Sequence, residues 1–278
     1  MKRLIILILL FLTACSSSNP ASFFNVTPAP FNLNMNSTSE QIQRALWESA
    51  SRWTNLQMSG VTTWYGVDGS VLQTSQEKVW LDPINSRYRV ELQSNTDNLL
   101  KLSDGFMISN INLNTNQVEN FAYPDFAKVG QYIPPIVGGQ AYPNPIWGQI
   151  GTPLSQLAFT SDYSQNSGVF TPLGIESIAG RETLVVEWRF SENSQPSWKM
   201  WIDTQKGIML KLQEFGKDGS NVLQSERVVE TITFDQTLDA NLFALPAGFQ
   251  TSVSPTQVGA MPVVTESGTT SEEEAGEL

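Results

Sequence analysis

Along residues 37–56 the apolar positions recur at helical spacing: Ile42, Ala45, Leu46, Ala50, Trp53 and Leu56 share one face. Ser37 and Glu40 stand three apart ahead of them, the spacing of a capping box. The pattern predicts an amphipathic helix over 38–57. The period then changes to two. "MSGVTTWYGVDGSVLQTSQEKVWLD" reads as strand, Asp68-Gly69 turn, strand. Further strands follow in "RYRVEL", "LLKLSDGFMISNINLNTNQVENFA", "LGIESIAGRETLVVEWRF", "SWKMWID", "IMLKLQEF" and "NVLQSERVVETITF", separated by Asp82-Pro83, Asp104-Gly105, Lys206-Gly207 and Lys217-Asp218-Gly219. The count is ten or eleven strands joined by short turns, which makes sequential neighbours antiparallel, because parallel neighbours need long crossovers.

One face of these strands is strongly apolar, for example Leu184, Val186, Trp188 and Phe190, then Trp198, Met200 and Ile202, then Ile208, Leu210 and Leu212. Such a face must be covered, and one helix cannot cover ten strands. The middle of the chain, 122–165, is dense in Pro and Gly yet rich in Phe, Tyr, Ile and Trp. Long loops inside compact domains are functional or disordered, and this aromatic content argues for order. It reads as a lid over the sheet, with Thr152-Pro153 opening a short helix through Leu157. The end, 251–278, is polar and acidic without periodicity and reads as a disordered tail.

The N-terminus changes the picture. Met1-Lys2-Arg3 is a short positive region, and Leu4 to Leu12 is an unbroken apolar run of signal-peptide length, far below the ~18–20 residues that a membrane span needs. Leu12-Thr13-Ala14-Cys15 behind it matches a bacterial lipobox. Residues 1–14 then form a lipoprotein signal peptide, and the thiol of Cys15 carries the lipid anchor. Residues 15–36, rich in Ser, Asn and Pro, read as a tether with a mean reach of about 25 Å. Within it Phe23, Phe24 and Phe31 suit either docking on the domain or dipping into headgroups. The folded domain is expected over 37–250.

Composition then narrows the chemistry. Cys15 is the only cysteine, and histidine is absent. That removes disulfides, His-ligated zinc, histidine bases and Ser-His-Asp triads together. Of 16 Lys and Arg, removing Lys2 and Arg3 leaves 14 against 27 acidic residues, a net charge of −13. Nucleic acid and anionic headgroups repel such a surface. Ser75-Gln76-Glu77-Lys78 fits Ser-x-x-Lys but lies in a strand pattern without the partner motifs of penicillin-binding enzymes. There is no P-loop, dinucleotide fingerprint, EF-hand loop or Gly-x-Ser-x-Gly. No catalytic residue, metal ligand or cofactor site is expected, and the chain does not read as an enzyme.

The order of parts, with "DPINSRYRVEL", "LSDGFMISNINLNTNQV", "IAGRETLVVEW", "WKMWIDTQKGIMLKLQEFGKDG" and "ANLFALP", resembles the LolA/LolB lipoprotein-carrier superfamily over about 38–250. The second half is most similar to the N-terminal domain of the RseB/MucB regulators. The resemblance rests on Arg87 or Arg89 after the Pro83 turn, Asp104-Gly105, Gly180-Arg181, Trp201, Asp203 and Gly207. It implies a mainly β fold with some α: an unclosed antiparallel β-barrel of about 11 strands, a long N-terminal helix, and short lid helices on the concave face. It also implies acyl chains held on that face. The candidate lining is Trp64, Trp80, Phe106, Ile108, Trp188, Trp198 and Met200, with lid groups Phe126, Tyr132, Ile136 and Trp147. Arg89 is the implied tie between lid and barrel.

Three readings follow: an anchored binder of lipid or lipoprotein acyl chains, an envelope sensor bound to a membrane protein, and a glycan-associated β protein. In each, the membrane is reached through Cys15, outside the cytoplasm, on either the periplasmic face of an outer membrane or the outer face of the cytoplasmic membrane.

Overall fold

The computed structural model describes residues 31–123, 136–137, 140–141, 146–164, 166–216 and 221–249. Of residues 136–137, 140–141 and 147–148 only the backbone is described. The signal peptide, Cys15, Phe23, Phe24 and the 251–278 tail lie outside these residues.

The helix α1 spans Ser39–Glu48, followed by a 3-10 turn over Ser49–Ser51. It is shorter than its sequence period suggested and is capped one residue later. Thr38 Oγ1 accepts from Gln41 N, and Gln41 Oε1 accepts from Thr38 N, a complete capping box. Ser37 is engaged elsewhere: its hydroxyl accepts from Asn34 N and closes the preceding turn. The apolar positions after the helix serve the core from extended chain, Trp53 in the connection and Leu56 at the start of the sheet.

Eleven antiparallel strands form one sheet. In chain order they are β1 Leu56–Tyr65, β2 Val71–Asp82, β3 Arg87–Ser94, β4 Asn98–Asp104, β5 Met107–Asn112 and β6 Gln117–Ala122, then β9 Val169–Ile178, β10 Arg181–Arg189, β11 Pro196–Asp203, β12 Met209–Phe215 and β13 Leu223–Phe234. Two short strands, β7 Ile136–Val137 and β8 Gln140–Ala141, pair separately. The spatial order is β6-β5-β4-β3-β2-β1-β13-β12-β11-β10-β9. Two meanders are thus joined through β1 and β13, and β6 does not meet β9, so the barrel is not closed.

The curl is unevenly built. Every pairing in the half from β2–β1 to β10–β9 carries a register shift, at Trp64/Tyr65, Ser59/Gly60, Glu214/Phe215, Trp201/Ile202, Trp188/Arg189 and Val185/Val186. The ladders from β2–β3 to β5–β6 run without one. Bulges bend a strand and increase its twist, so the second half wraps more tightly. Leu81, Tyr88 and Ile108 from one half and Leu184, Met200 and Leu212 from the other meet in one hydrophobic cluster together with α1. The face carrying this cluster is called the inner face below.

The turns hold several of the residues on which the resemblance rested. Asp203 Oδ1 accepts from the amides of Gln205 and Lys206, and its other oxygen pairs with Arg181. Gly207 follows at φ +73°, where an added Cβ would stand 2.3 Å from the Ala45 carbonyl oxygen. Asp104 Oδ1 accepts from Phe106 N and Met107 N. These residues build the β11–β12 and β4–β5 turns.

The packed part begins before residue 37. Leu33 is 2% exposed, and its amide donates to the Thr204 carbonyl. Phe31 packs against the core under the Arg52 guanidinium, 3.7 Å from the ring centroid. Of the two roles open to Phe31, the structure assigns docking. At the other end, a 3-10 turn over Ala240–Phe243 folds onto the outer face. There Leu245 and Phe249 cover Leu100, Leu102 and Ile111.

Candidate functional site

Directly opposed residues on neighbouring strands share a face, so register assigns each candidate. The inner face carries the rows Leu56-Leu81-Tyr88-Ser103-Ile108 and Met58-Val79-Val90-Lys101. On the other half it carries Val186-Met200-Leu212-Arg227-Thr62-Ser75 and Trp188-Trp198-Glu214-Ser225-Trp64. Ile108, Trp188, Trp198, Met200 and Trp64 therefore lie on the inner face as the sequence suggested.

Trp188 and Trp198 are packed on each other at 4.3 Å between centroids, and the Tyr163 ring stands nearly perpendicular to Trp198 at 5.2 Å.

Two candidates belong elsewhere. Trp80 alternates with Val79 and Leu81 and stands opposite Arg89, on the outer face. Phe106 is 75% exposed in the β4–β5 turn. Arg89 is on the outer face too: it pairs with Glu91 at 2.8 Å and donates to the Leu242 carbonyl at 3.1 Å. It fastens the C-terminal segment, and among the described residues it makes no contact with the lid. Phe126 and Tyr132 lie outside the described residues, as do the side chains of Ile136 and Trp147.

The inner face is covered by α1 and by the segment 146–164, which contains α2 (Trp147–Ile150), a 3-10 turn (Ser155–Leu157) and α3 (Ser161–Ser164). Thr152 and Ser155 bond each other ahead of the turn, where the sequence placed a helix start. Ile146, Ile150, Leu154, Leu157, Ala158 and Phe159 are all buried. Leu154 sits over Gly60: an added Cβ there would meet Leu154 Cδ1 at 3.0 Å.

Three charged side chains of the sheet, absent from the sequence-based set, tie this cover down. Lys101 Nζ donates to the Ile150 carbonyl at 2.5 Å. Glu77 Oε1 accepts from Leu154 N at 3.0 Å. Arg227 donates to the Tyr163 hydroxyl at 3.3 Å and pairs with Glu214 at 2.8 Å. Burial pushes the Glu77 carboxyl up and the Lys101 ammonium down from their ordinary values. Burial likewise raises the Tyr163 hydroxyl to about 12. Thr62 Oγ1, Ser75 Oγ and Arg227 Nε are buried without a hydrogen-bond partner among the described residues. A buried polar patch thus interrupts an aliphatic surface, and it is the strongest departure from core packing among the described residues.

Two cavities are bounded by described residues. One, about 870 Å³, runs between Asn116–Glu119 and Ala247–Phe249. The other, about 320 Å³, is lined by outer-face groups such as Lys78, Arg89, Glu91 and Gln93, and also by Gly60 and Glu77. No group of His, Cys, Asp and Glu suited to a metal ion occurs among the described residues. No described helix is long and apolar enough to cross a membrane.

No family model matches the chain, and no curated protein matches it. Solved structures do. The complex of Pseudomonas aeruginosa MucA and MucB is similar at 16% identity and a TM-score of 0.44, covering 81% of this chain and 67% of that one. MucB bound to the periplasmic part of MucA is similar at 16% and 0.42, covering 75% and 60%. The chain thus spans about three fifths of that MucB. A LolA superfamily protein of Nitrosomonas europaea is similar at 12% and 0.30, covering 75% and 98%. Both kinds of fold named from the sequence are present among these likenesses.

Proposed function

We propose that this is a lipid-anchored, extracytoplasmic binding protein that holds acyl chains of lipids or lipoproteins between the inner face and its cover, without catalysis. The observation that carries the reading is the cover itself. A largely apolar floor, broken by one buried polar patch, is closed by a separate segment that charged groups of that floor fasten at three points. A static core gains little from such ties, since replacing buried ion pairs with apolar side chains is often neutral or stabilising. A segment that lifts gains a defined closed position. Beneath it, a sixteen-carbon chain leaving water gains up to about 12 kcal/mol. Leaving a bilayer it gains almost nothing, so loading depends on fit and on movement of the cover.

The test is native mass spectrometry of residues 16–278, exported behind a cleavable signal peptide and purified without detergent. Co-purified species of lipid mass, removed by organic extraction and restored by adding lipid, are expected. An apo mass throughout, unchanged by added lipid, contradicts the reading. A second reading, attachment to a membrane protein, is favoured by one observation: the larger of the two cavities named above lies against the C-terminal segment and not on the inner floor. Capture of a membrane protein by apo chain, lost on altering Arg89 or Phe249 and retained on altering Leu154, would favour it.

A further inference from the structure

Glu77 projects from the middle of β2 into the contact between sheet and cover. It is 1% exposed and is held by the cover through the Leu154 amide, 3.0 Å from Oε1, and through the Thr152 side chain. On the same face, Thr62 and Ser75 carry buried hydroxyls without partners. We propose that Glu77 is a proton-operated latch on segment 146–164: in its neutral form the segment closes on the sheet, and in its ionised form the segment loosens.

The groups around it decide the sign. β13 supplies Arg227, which is paired with Glu214 of β12, and β4 supplies Lys101. The cover supplies the Leu154 amide and the Thr152 side chain, and its own acid is Asp162, while β1 and β3 place Gly60 and Leu92, which do not titrate, opposite Glu77. The Leu154 amide, Thr152, Arg227 and Lys101 favour the carboxylate, but loss of solvent outweighs them and raises the Glu77 carboxyl. With the cover lifted, Glu77 meets water and titrates in the ordinary carboxylate range, about 4.3. The closed form therefore binds the proton more tightly than the open form. Acid favours closure, and the cover loosens as pH rises from that range through the raised value. This latch operates whether or not an acyl chain lies beneath, and measurement without added lipid keeps the two questions apart.

Residues 16–278 contain no cysteine, so Ala158→Cys places a single thiol in the cover at a fully buried position. Its labelling rate is read between pH 4 and 9 and divided by that of the same chain in urea, which removes the thiol's own titration. The expected ratio rises with pH through the window, by no more than about tenfold per unit for a one-proton step. Glu77→Gln keeps a carbonyl for Leu154 and cannot ionise; it is expected to hold the ratio at its slow acid-side value. Asp162→Asn is expected to leave the rise in place. An unaltered profile in Glu77→Gln, a flat profile in the parent, or a profile abolished by Asp162→Asn instead overturns the latch. Should Ala158→Cys fail to fold, backbone amide exchange of 150–158 in the parent and in Glu77→Gln, corrected for intrinsic rates, gives the same comparison.

Discussion

Replacing Cys15 by serine is expected to abolish incorporation of a clickable palmitate analogue into the protein. The hydroxyl cannot stand in for the thiol that takes the lipid, and Cys15 is the only cysteine in the chain. Each sixteen-carbon chain offers up to about 12 kcal/mol of transfer free energy, and stable anchoring takes two or more such signals. The run from Leu4 to Leu12 is too short to replace them as a span. Palmitate incorporation undiminished in Cys15→Ser would show that the lipobox reading is wrong. The packed part starts by Phe31 and Leu33, so 15 residues lie between Cys15 and the docked Phe31.

Gly60→Ala is expected to destabilise the fold by about 3 kcal/mol or more. An added Cβ would stand 2.1 Å from the Val228 carbonyl oxygen and 3.0 Å from both Val228 C and Leu154 Cδ1. The first contact is with backbone, at the β1–β13 bulge that joins the two meanders, so neither side can step aside cheaply. The second is with the cover at the point where Glu77 holds it. For a domain of this size the expected drop in melting temperature is about 6–12 °C. Gly174→Ala is the matched control, since nothing lies within 4 Å of its added Cβ and its φ is not positive. It is expected to stay within about 0.5 kcal/mol of the parent. Equal urea midpoints for Gly60→Ala and the parent would mean that β1 and β13 do not meet as described.

The antiparallel order was legible because period-two patterning and short turns leave few alternatives, whereas the open barrel came from the resemblance and not from the pattern. The helix start was misplaced by one residue because Ser37 and Thr38 both satisfy a capping spacing, and only the Asn34 turn distinguishes them. Trp80 was misassigned because "VWL" is apolar at three consecutive positions, so residue type outweighed parity. Arg89 could have been placed from its own strand, since Tyr88 and Val90 flank it on the apolar parity. Glu77, Lys101 and Arg227 carried a usable signal: each falls on the inner parity of its strand, Glu77 with Val79 and Leu81, Arg227 with Val229. What was not legible is that the three meet one covering segment. That depends on long-range pairing between residues 77, 101 and 227 and on the placement of 146–164.

The most direct test of the inner face as an acyl site is photo-cross-linking with a diazirine-bearing palmitoyl lipid on exported residues 16–278, with the modified residues mapped by mass spectrometry. Adducts on inner-face strand positions such as Val90, Ile108 and Met200, or within 122–165, competed away by unlabelled palmitoyl lipid, are the predicted result. Adducts confined to the outer cluster of Leu100, Leu102 and Phe249, or none at all, would contradict it.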